Sequence, residues 1–319
     1  MAVADYPLVA VLGPTGSGKS ALAAALAERF SGEIVNCDSV QLYRGFDIGA
    51  AKPTADERSR SPHHLFDVLE PAETCTAGDY ARLARPVLRD IAARGRLPIV
   101  VGGTGFYLRA LLDGLFAGPA RDDRLRDRLT LREARRPGSL HRVLSRLDPE
   151  AARRIHANDR NKLIRALEVC LAARRPMSDL FAEGRDALTG FRTLKIVLEP
   201  PRAALQHKLN ERCSAMLEAG LIQEISLLLL SGISPDCKPF ESIGYKEVLA
   251  FLMGELTLPA ALELMCRDTR RYAKRQLTWF RRESGAQWVS GFGTDSTALS
   301  SAFEMLGNFR KNSNAEREI

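Results

Sequence analysis

The chain predicts an α/β fold, a parallel-sheet core interrupted by a helical insertion. Three observations over its 319 residues carry this reading. Short apolar runs that end in glycine or a polar loop alternate with helical patterns. A glycine-rich loop, Gly13-Pro14-Thr15-Gly16-Ser17-Gly18-Lys19-Ser20, joins the first such run to the first helix. From about residue 114 to 192 the strand pattern disappears and arginine dominates.

Taken in order, Leu8 to Leu12 is an apolar run ended by Gly13-Pro14, the pattern of a buried strand. From Lys19 an alanine-rich stretch sets Leu22, Leu26 and Phe30 on one helical face, and Ser31-Gly32 closes it. Glu33 to Cys37 reads as a second strand. Ala77 to Arg94 carries Leu83, Val87 and Ile91 at helical spacing before Gly95, and Pro86 is expected to kink it. Leu97 to Val101 is a further strand, ended by Gly102-Gly103 and followed by a helix to Leu112. Such alternation implies right-handed crossovers between parallel strands. Gly118-Pro119 breaks the chain inside the insertion, which contains helical pieces and no convincing strand. Sheet character returns over Thr193 to Leu198, and Pro200-Pro201 opens a run of helices to about Arg282. The expected organisation is a first core part, 1–113, an insertion, 114–192, a second and mostly helical core part, 193–290, and a tail, 291–319. The tail is rich in Ser, Asn and Gly and is expected to be loosely held.

A hydrophobic content of 45% with 27% charged residues is ordinary globular composition, which excludes disordered, collagen-like and coiled-coil chains. No apolar run reaches the roughly 18 residues of a membrane span, so no membrane partner is expected. Met1 to Tyr6 lacks the basic start and apolar stretch of a secretory signal. Six cysteines, at 37, 75, 170, 213, 237 and 266, form no Cys-x-x-Cys pair, which argues against zinc ribbons and disulfide frameworks. A reducing cytoplasm is the expected location. The charge is uneven. Between Arg121 and Arg175 there are 16 Lys+Arg, all arginine but Lys162, against 8 Asp+Glu, an excess larger than the whole-chain surplus of seven. Such a run is also what a solvated, salt-bridged helical face looks like. The planar arginine fork, which binds phosphate bidentately, points to a polyanion.

The loop from Gly13 to Ser20 has the phosphate-binding pattern of P-loop NTPase-like cores, with a strand before it and a helix after it. Its glycines let successive N–H groups converge on phosphate at a positive helix end. Lys19 supplies a movable charge, and the Ser20 hydroxyl can bind Mg²⁺. The pattern indicates a polyphosphate rather than ATP in particular. An ATPase needs a strand ending in a metal-holding acid, whereas Ile99-Val100-Val101 ends in Gly102-Gly103-Thr104, and no guanine-reading Asn-Lys-x-Asp is present. Asp38 follows the second strand at the carboxyl edge, where ligands of such folds bind. From position it either caps the next turn or serves as metal ligand or general base. Asp38-Ser39-Val40-Gln41-Leu42-Tyr43 gathers acid, hydroxyl, amide and phenol. An amide with a stacking ring suits a nucleobase edge, though a polar loop with one half-buried Tyr has the same composition. His63-His64 point in different directions with no third ligand spaced nearby, so no metal is expected there.

Together these segments resemble the tRNA dimethylallyltransferases (isopentenyl diphosphate:tRNA transferases), the bacterial form in particular. The matching residues are Gly13–Ser20, Asp38-Ser39-x-Gln41-x-Tyr43, Asp47-Ile48-Gly49, Ala51-Lys52-Pro53 and Pro62-His63-His64. Further on they are Gly102-Gly103-Thr104-Gly105-x-Tyr107, Arg165-Ala166-Leu167-Glu168-Val169, Ile243-Gly244-Tyr245-Lys246-Glu247 and Lys274-Arg275-Gln276-Leu277-Thr278-Trp279. They are collinear from about residue 8 to 288.

The resemblance implies transfer of a dimethylallyl group from dimethylallyl diphosphate to the N6 amine of the adenosine 3′-adjacent to the anticodon. The loop would then hold a diphosphate leaving group. Its N–H groups, Lys19, Mg²⁺ on Ser20, and Arg212 just before a helical stretch ending at Gly220 would stabilise the developing charge. Asp38 is the implied general base, taking a proton from a poorly nucleophilic amine. Thr15 and Thr104 are implied hydroxyl contacts around the reacting centre, Thr104 on the tRNA side. Gln41 would orient the target base, with Ser39 and Val40 in the same tRNA-contacting stretch. The target adenosine must leave its stack, which is cheapest in a loop.

The insertion is implied to be a helical clamp on the anticodon stem-loop, with Arg126, Asn161, Lys162, Leu163, Ile164 and Arg165 as the matched tRNA-contacting positions. Asn161-Lys162 stands where the family usually has Gln-Arg, keeping the charge but losing the bidentate fork. Ala50 likewise replaces a usual hydroxyl residue, and the cysteine spacings offer no counterpart to the zinc finger of the eukaryotic relatives. A monomer is implied. Two other classes remain. A small-molecule P-loop enzyme, a free adenine-nucleotide prenyltransferase or a nucleotide or metabolite kinase, has little use for the basic insertion, and a kinase lacks its metal-holding acid. A non-catalytic RNA-binding protein leaves Lys19-Ser20 and Asp38 unexplained.

Overall fold

The computed structural model describes residues 5–315, with side chains to residue 311. It forms two compact units, one made of the residues up to Leu112 together with those from Leu188, the other of Asp113–Ala187. The first contains six parallel strands, β1 (Tyr6–Leu12), β2 (Gly32–Asn36), β3 (His63–His64), β4 (Leu97–Gly102), β5 (Phe191–Glu199) and β6 (Ala286–Ser290), in the order β3-β2-β4-β1-β5-β6. β1 is the hub, with Val9 opposite Ile99 of β4 and Leu194 of β5. Parallel strands covered on both faces read as unbroken apolar runs, and Leu8 to Leu12 are all buried.

This is the expected α/β, P-loop NTPase-like core, but its two edge strands escape the sequence reading. β3 is only His63–His64, and β6 runs Ala-Gln-Trp-Val-Ser with a single buried residue, Val289. Edge strands bury one flank and carry little apolar pattern.

The Ala77–Ala93 helix begins with a capping box between Thr76 and Asp79 and continues through Pro86. It buries Tyr80, Ala84, Leu88 and Ile91, so the face expected from Leu83 and Val87 is displaced and Leu83 is exposed.

The 291–319 tail is not loosely held as far as it is described. Residues Ser296–Ala315 form a helix whose Ala298, Ala302 and Leu306 are buried in the same core as Val9, Leu22, Leu26, Ile196 and Val289. A four-residue apolar spacing lies beneath the Ser and Asn content, and period outweighs composition.

The second unit is helical, with no strand among the described residues. It comprises Asp123–Arg135, Ser139–Leu147, Pro149–Arg154, Arg160–Ala173 and Met177–Ala182 around Leu140, Leu144, Leu163 and Leu167. Asp122, Asp148 and Asp159 cap three of these helices. The unit ends at Ala187 rather than 192. Leu188 N donates to Leu112 O (2.9 Å) and Gly190 O accepts from Tyr6 N (2.8 Å), which ties 188–190 to the core chain.

Because Leu306 is buried against the sheet, Leu306→Ala should cost about 2–5 kcal/mol of stability in urea unfolding. A loss below about 0.5 kcal/mol, the usual range of surface substitutions, would return the tail to a loosely held appendage.

Candidate active site

The loops that follow β2, β4 and β1 are neighbours because those strands are neighbours. The sheet therefore gathers Asp38, Gly102-Gly103-Thr104 and the Gly13–Ser20 loop at one carboxyl edge. Within the loop, Gly16 and Gly18 have φ of +77° and +83°. A Cβ on Gly16 would lie 2.7 Å from Leu209 Cδ2, and one on Gly18 2.9 Å from Gly293 N. The loop is thus backed by the Arg202–Glu218 helix and by the turn at Gly293, whose N–H donates to Ser17 O (2.8 Å).

Lys19 Nζ donates to Pro14 O (2.8 Å). Burial and the nearby Arg212 charge lower the Lys19 pKa to about 8, with Asp38 acting in opposition. Ser20 is exposed in the first helical turn, and Ser17 Oγ is fully buried with no hydrogen-bond partner among the described residues.

Asp38 is held from beneath. Tyr80 Oη donates to Asn36 O (2.8 Å), and Asn36 Oδ1 accepts from Asp38 N (2.9 Å). Asn36 Nδ2 donates to Leu65 O (2.9 Å). Asp38 Oδ1 accepts from Val40 N (2.9 Å), so the carboxylate does cap its turn while facing the cationic site. Ser39 N donates to Thr104 Oγ1 (3.3 Å). Arg212 lies in the middle of the Arg202–Glu218 helix, not ahead of a helix. Burial lowers its pKa and Asp38 partly restores it. The site is therefore two desolvated cations, one fixed carboxylate and a rim of backbone donors, an arrangement built for a polyanion and one proton acceptor.

Several residues at this site escaped sequence reasoning. Gln276, buried on the Leu258–Phe280 helix, accepts from Thr15 N through Oε1 (2.8 Å) and donates from Nε2 to Gly103 O (3.0 Å). Tyr272, one turn earlier, interacts with Thr104 and Gln276 and lies near Asp38; burial pushes its phenol pKa up. Asn36 and Tyr80 support Asp38 but carry no motif. The only signal was Gln276 within the Lys274–Trp279 match.

Other expected contacts resolve differently. Gln41 Nε2 donates to Ala50 O (3.0 Å) and Ala51 O (3.1 Å), so its amide N–H groups hold a loop rather than standing ready for a base. Tyr43 is buried, which removes it as a stacking ring. Lys52 donates to Tyr43 O (2.6 Å) and Asp47 Oδ1 (2.7 Å) and pairs with Asp67, so the Ala51-Lys52-Pro53 motif organises the loop. That loop and the Arg202–Glu218 helix border an open cleft of about 960 Å³ lined by Ile48, Lys52, Arg58, Asp67, Arg212 and Met216. His63 and His64 contact Ser61 O and Glu33, and no cluster of three metal-ligating side chains exists among the described residues.

In the helical unit, Arg126 and Arg165 both grip the fully buried Glu168. Arg126 Nε lies 2.9 Å from Oε1, and Arg165 Nη1 lies 2.6 Å from Oε2. Burial opposes ionisation of Glu168, yet these arginines and the Asp122 N–H hold its pKa below the usual carboxylate range. Leu163 and Ile164 are buried in the helical core, so their side chains are not a nucleic-acid surface. Asn161 and Lys162 are exposed, the latter paired with Asp159 (2.6 Å). Arg124, Arg128, Arg132 and Arg135 recur at helical spacing on Asp123–Arg135, all exposed.

A family model described as IPP transferase matches residues 41–283, and one described as isopentenyl transferase matches 6–63. The tRNA dimethylallyltransferase of Solibacter usitatus is 59% identical over 303 residues, 95% of this chain and 99% of that one. That of Koribacter versatilis is 56% identical, with the same shares covered. The crystal structure of the full-length tRNA isopentenylpyrophosphate transferase of Bacillus halodurans matches with a TM-score of 0.73 and 36% identity, over 98% of this chain and 100% of that one. A eukaryotic dimethylallyltransferase acting on tRNA matches with a TM-score of 0.81 and 30% identity, over 96% and 80%.

Lys19 is charged below its pKa of about 8 and neutral above it. Affinity for inorganic diphosphate should therefore fall about tenfold between pH 7 and 9 by calorimetry. Lys19→Met should bind more weakly at pH 7 and lose that part of the decline. A wild-type profile no steeper than that of Lys19→Met would show that Lys19 does not titrate in this range.

Proposed function

The chain belongs to the IPP transferase family, and from that premise we propose how its residues carry out the transfer of a dimethylallyl group to tRNA. The donor is dimethylallyl diphosphate and the acceptor the N6 amine of the adenosine 3′-adjacent to the anticodon. The observation that carries this reading is the convergence of Lys19, Arg212 and Asp38 at one sheet edge.

The allylic C1–O bond breaks with its electron pair leaving on the diphosphate. Loop N–H groups, Lys19 and Arg212 stabilise that charge, and being fixed in advance they need no reorganisation as it develops. The amine nitrogen forms the new bond to C1 and gives up a proton to Asp38. Asn36 and the Val40 N–H keep the carboxylate aimed during this step. Thr15 and Thr104 border the reacting centre, with Ser39 and Thr104 on the acceptor side.

Mg²⁺ needs only one or two protein ligands when substrate phosphates supply the rest. The exposed Ser20 hydroxyl, in a loop whose Ser17 hydroxyl has no hydrogen-bond partner among the described residues, fits that requirement. When bound, the ion would neutralise charge on the diphosphate. The Arg124–Arg135 row would lie along phosphates of the anticodon stem-loop, together with Asn161 and Lys162. Arg126 and Arg165 support this unit from within rather than contacting RNA first. The protein would act as a monomer in the cytoplasm, a setting that suits its six free thiols.

Protein, Mg²⁺, dimethylallyl diphosphate and tRNA should yield a prenylated adenosine by mass spectrometry of digested tRNA. Turnover with free AMP, or with ATP and an acceptor, but not with tRNA would sink this reading. Asp38→Ala should lower transfer at least a hundredfold, the scale of general-base loss, with tRNA affinity within threefold; a large binding loss would make Asp38 structural. Replacing Arg124, Arg128 and Arg132 by Gln should weaken tRNA binding and flatten its salt dependence by up to about 0.9 in log–log slope per lost phosphate contact. An unchanged slope would make that row a solvated face.

A further inference from the structure

Gln276 joins two segments that have different tasks. The Thr15 N–H that it binds belongs to the loop of the leaving group, and the Gly103 carbonyl that it binds precedes Thr104, whose hydroxyl accepts from the N–H of Ser39, the residue after Asp38. The fit is tight: a Cβ on Gly103 would stand 2.0 Å from Gln276 Nε2. Tyr272, four residues earlier on the same helix, adds a contact to Thr104.

We propose that Gln276 is a positioning residue that sets the separation between the donor carbon and the base Asp38, and that by occupying the Thr15 N–H it fixes which loop donors face the diphosphate. The proposal rests on the transfer reading above. An amide is needed because the site calls for one acceptor and one donor at once. Leu or Met supplies neither, and an ionised Glu supplies only acceptors. Reaction demands atoms about 3–3.5 Å apart and aligned, and a misplacement of about 1 Å can cost around a hundredfold in rate. A helix side chain bonded to both loops holds such a distance better than either loop does alone.

The test is prenyl transfer to tRNA at saturating substrates, with rates taken relative to wild type at each pH from 6 to 8.5. Gln276→Met should lose at least tenfold in kcat, with KM for tRNA and for dimethylallyl diphosphate each within threefold and melting temperature close to wild type. Gln276→Glu should be equally slow at pH 8.5 and recover at least threefold toward pH 6. A protonated carboxyl can again donate to Gly103 O while accepting from Thr15 N. The charged and titrating groups around this position, Lys19, Asp38, Arg212, Tyr272 and Arg275, are common to all three proteins, so the ratio removes their own titration. An unchanged kcat in Gln276→Met, a defect confined to one KM, a Glu variant with the same relative rate at every pH, or losses that track melting temperature would each overturn the proposal. Absence of product from wild type would instead defeat the transfer reading, and this proposal with it.

Discussion

Two positive groups share a desolvated corner with a single carboxylate. Burial lowers the pKa of both, the Arg212 charge lowers that of Lys19 further, and Asp38 offsets only part of this. Burying like charges is costly unless an anion arrives, so this corner is unfavourable alone and favourable when occupied. The surrounding structure serves to maintain that imbalance. β1 and β2 fix where Lys19 and Asp38 emerge, the Arg202–Glu218 helix brings in Arg212, and the Asn36–Tyr80 brace keeps Asp38 from turning away. In the proposed transfer, binding energy from the diphosphate is used on the charge that grows as the C–O bond breaks.

The helical unit handles charge differently. Its arginine excess divides into a part paired with a buried acid and an exposed part. Arg126 and Arg165 neutralise Glu168, a carboxylate with no water to turn to. The exposed part, spaced along Asp123–Arg135, stays available to a polyanion in high dielectric, where its pull is long-ranged and salt-sensitive. Composition alone could not separate these parts.

What was legible in the sequence follows from what depends on local pattern. β1 and β4 were visible because two-sided burial favours near-continuous apolar runs, and β2 and β5 through the shorter apolar stretches Ile34-Val35 and Ile196-Val197-Leu198. The phosphate loop was visible because its glycines sit at fixed offsets. β3 and β6 were not, since a strand covered on one flank needs little hydrophobic signature. The Ser296–Ala315 helix was hidden by its Ser and Asn content. At the site, Asp38, Lys19 and Arg212 came from motif or resemblance. Gln276 and Tyr80 act through backbone atoms far away in sequence, and no spacing rule encodes such a contact; Asn36 bonds the Asp38 N–H two residues on, within no recognised motif. Leu163 and Ile164, matched as tRNA-contacting positions, have their side chains in the helical core. A motif that touches a partner in related proteins still contains residues that face the core.

The phosphate loop lies near one end of the chain, yet its supports come from near the other. Ser17 O is held by the N–H of Gly293, and Thr15 N by Gln276. During synthesis Thr15 is made 261 residues ahead of the Gln276 that holds it. A nascent chain carries Lys19 and Asp38 long before the residues that give their loops a fixed shape. The phosphate loop therefore takes its fixed shape only after Gln276 and Gly293 have been made, later than the whole of the Asp113–Ala187 unit.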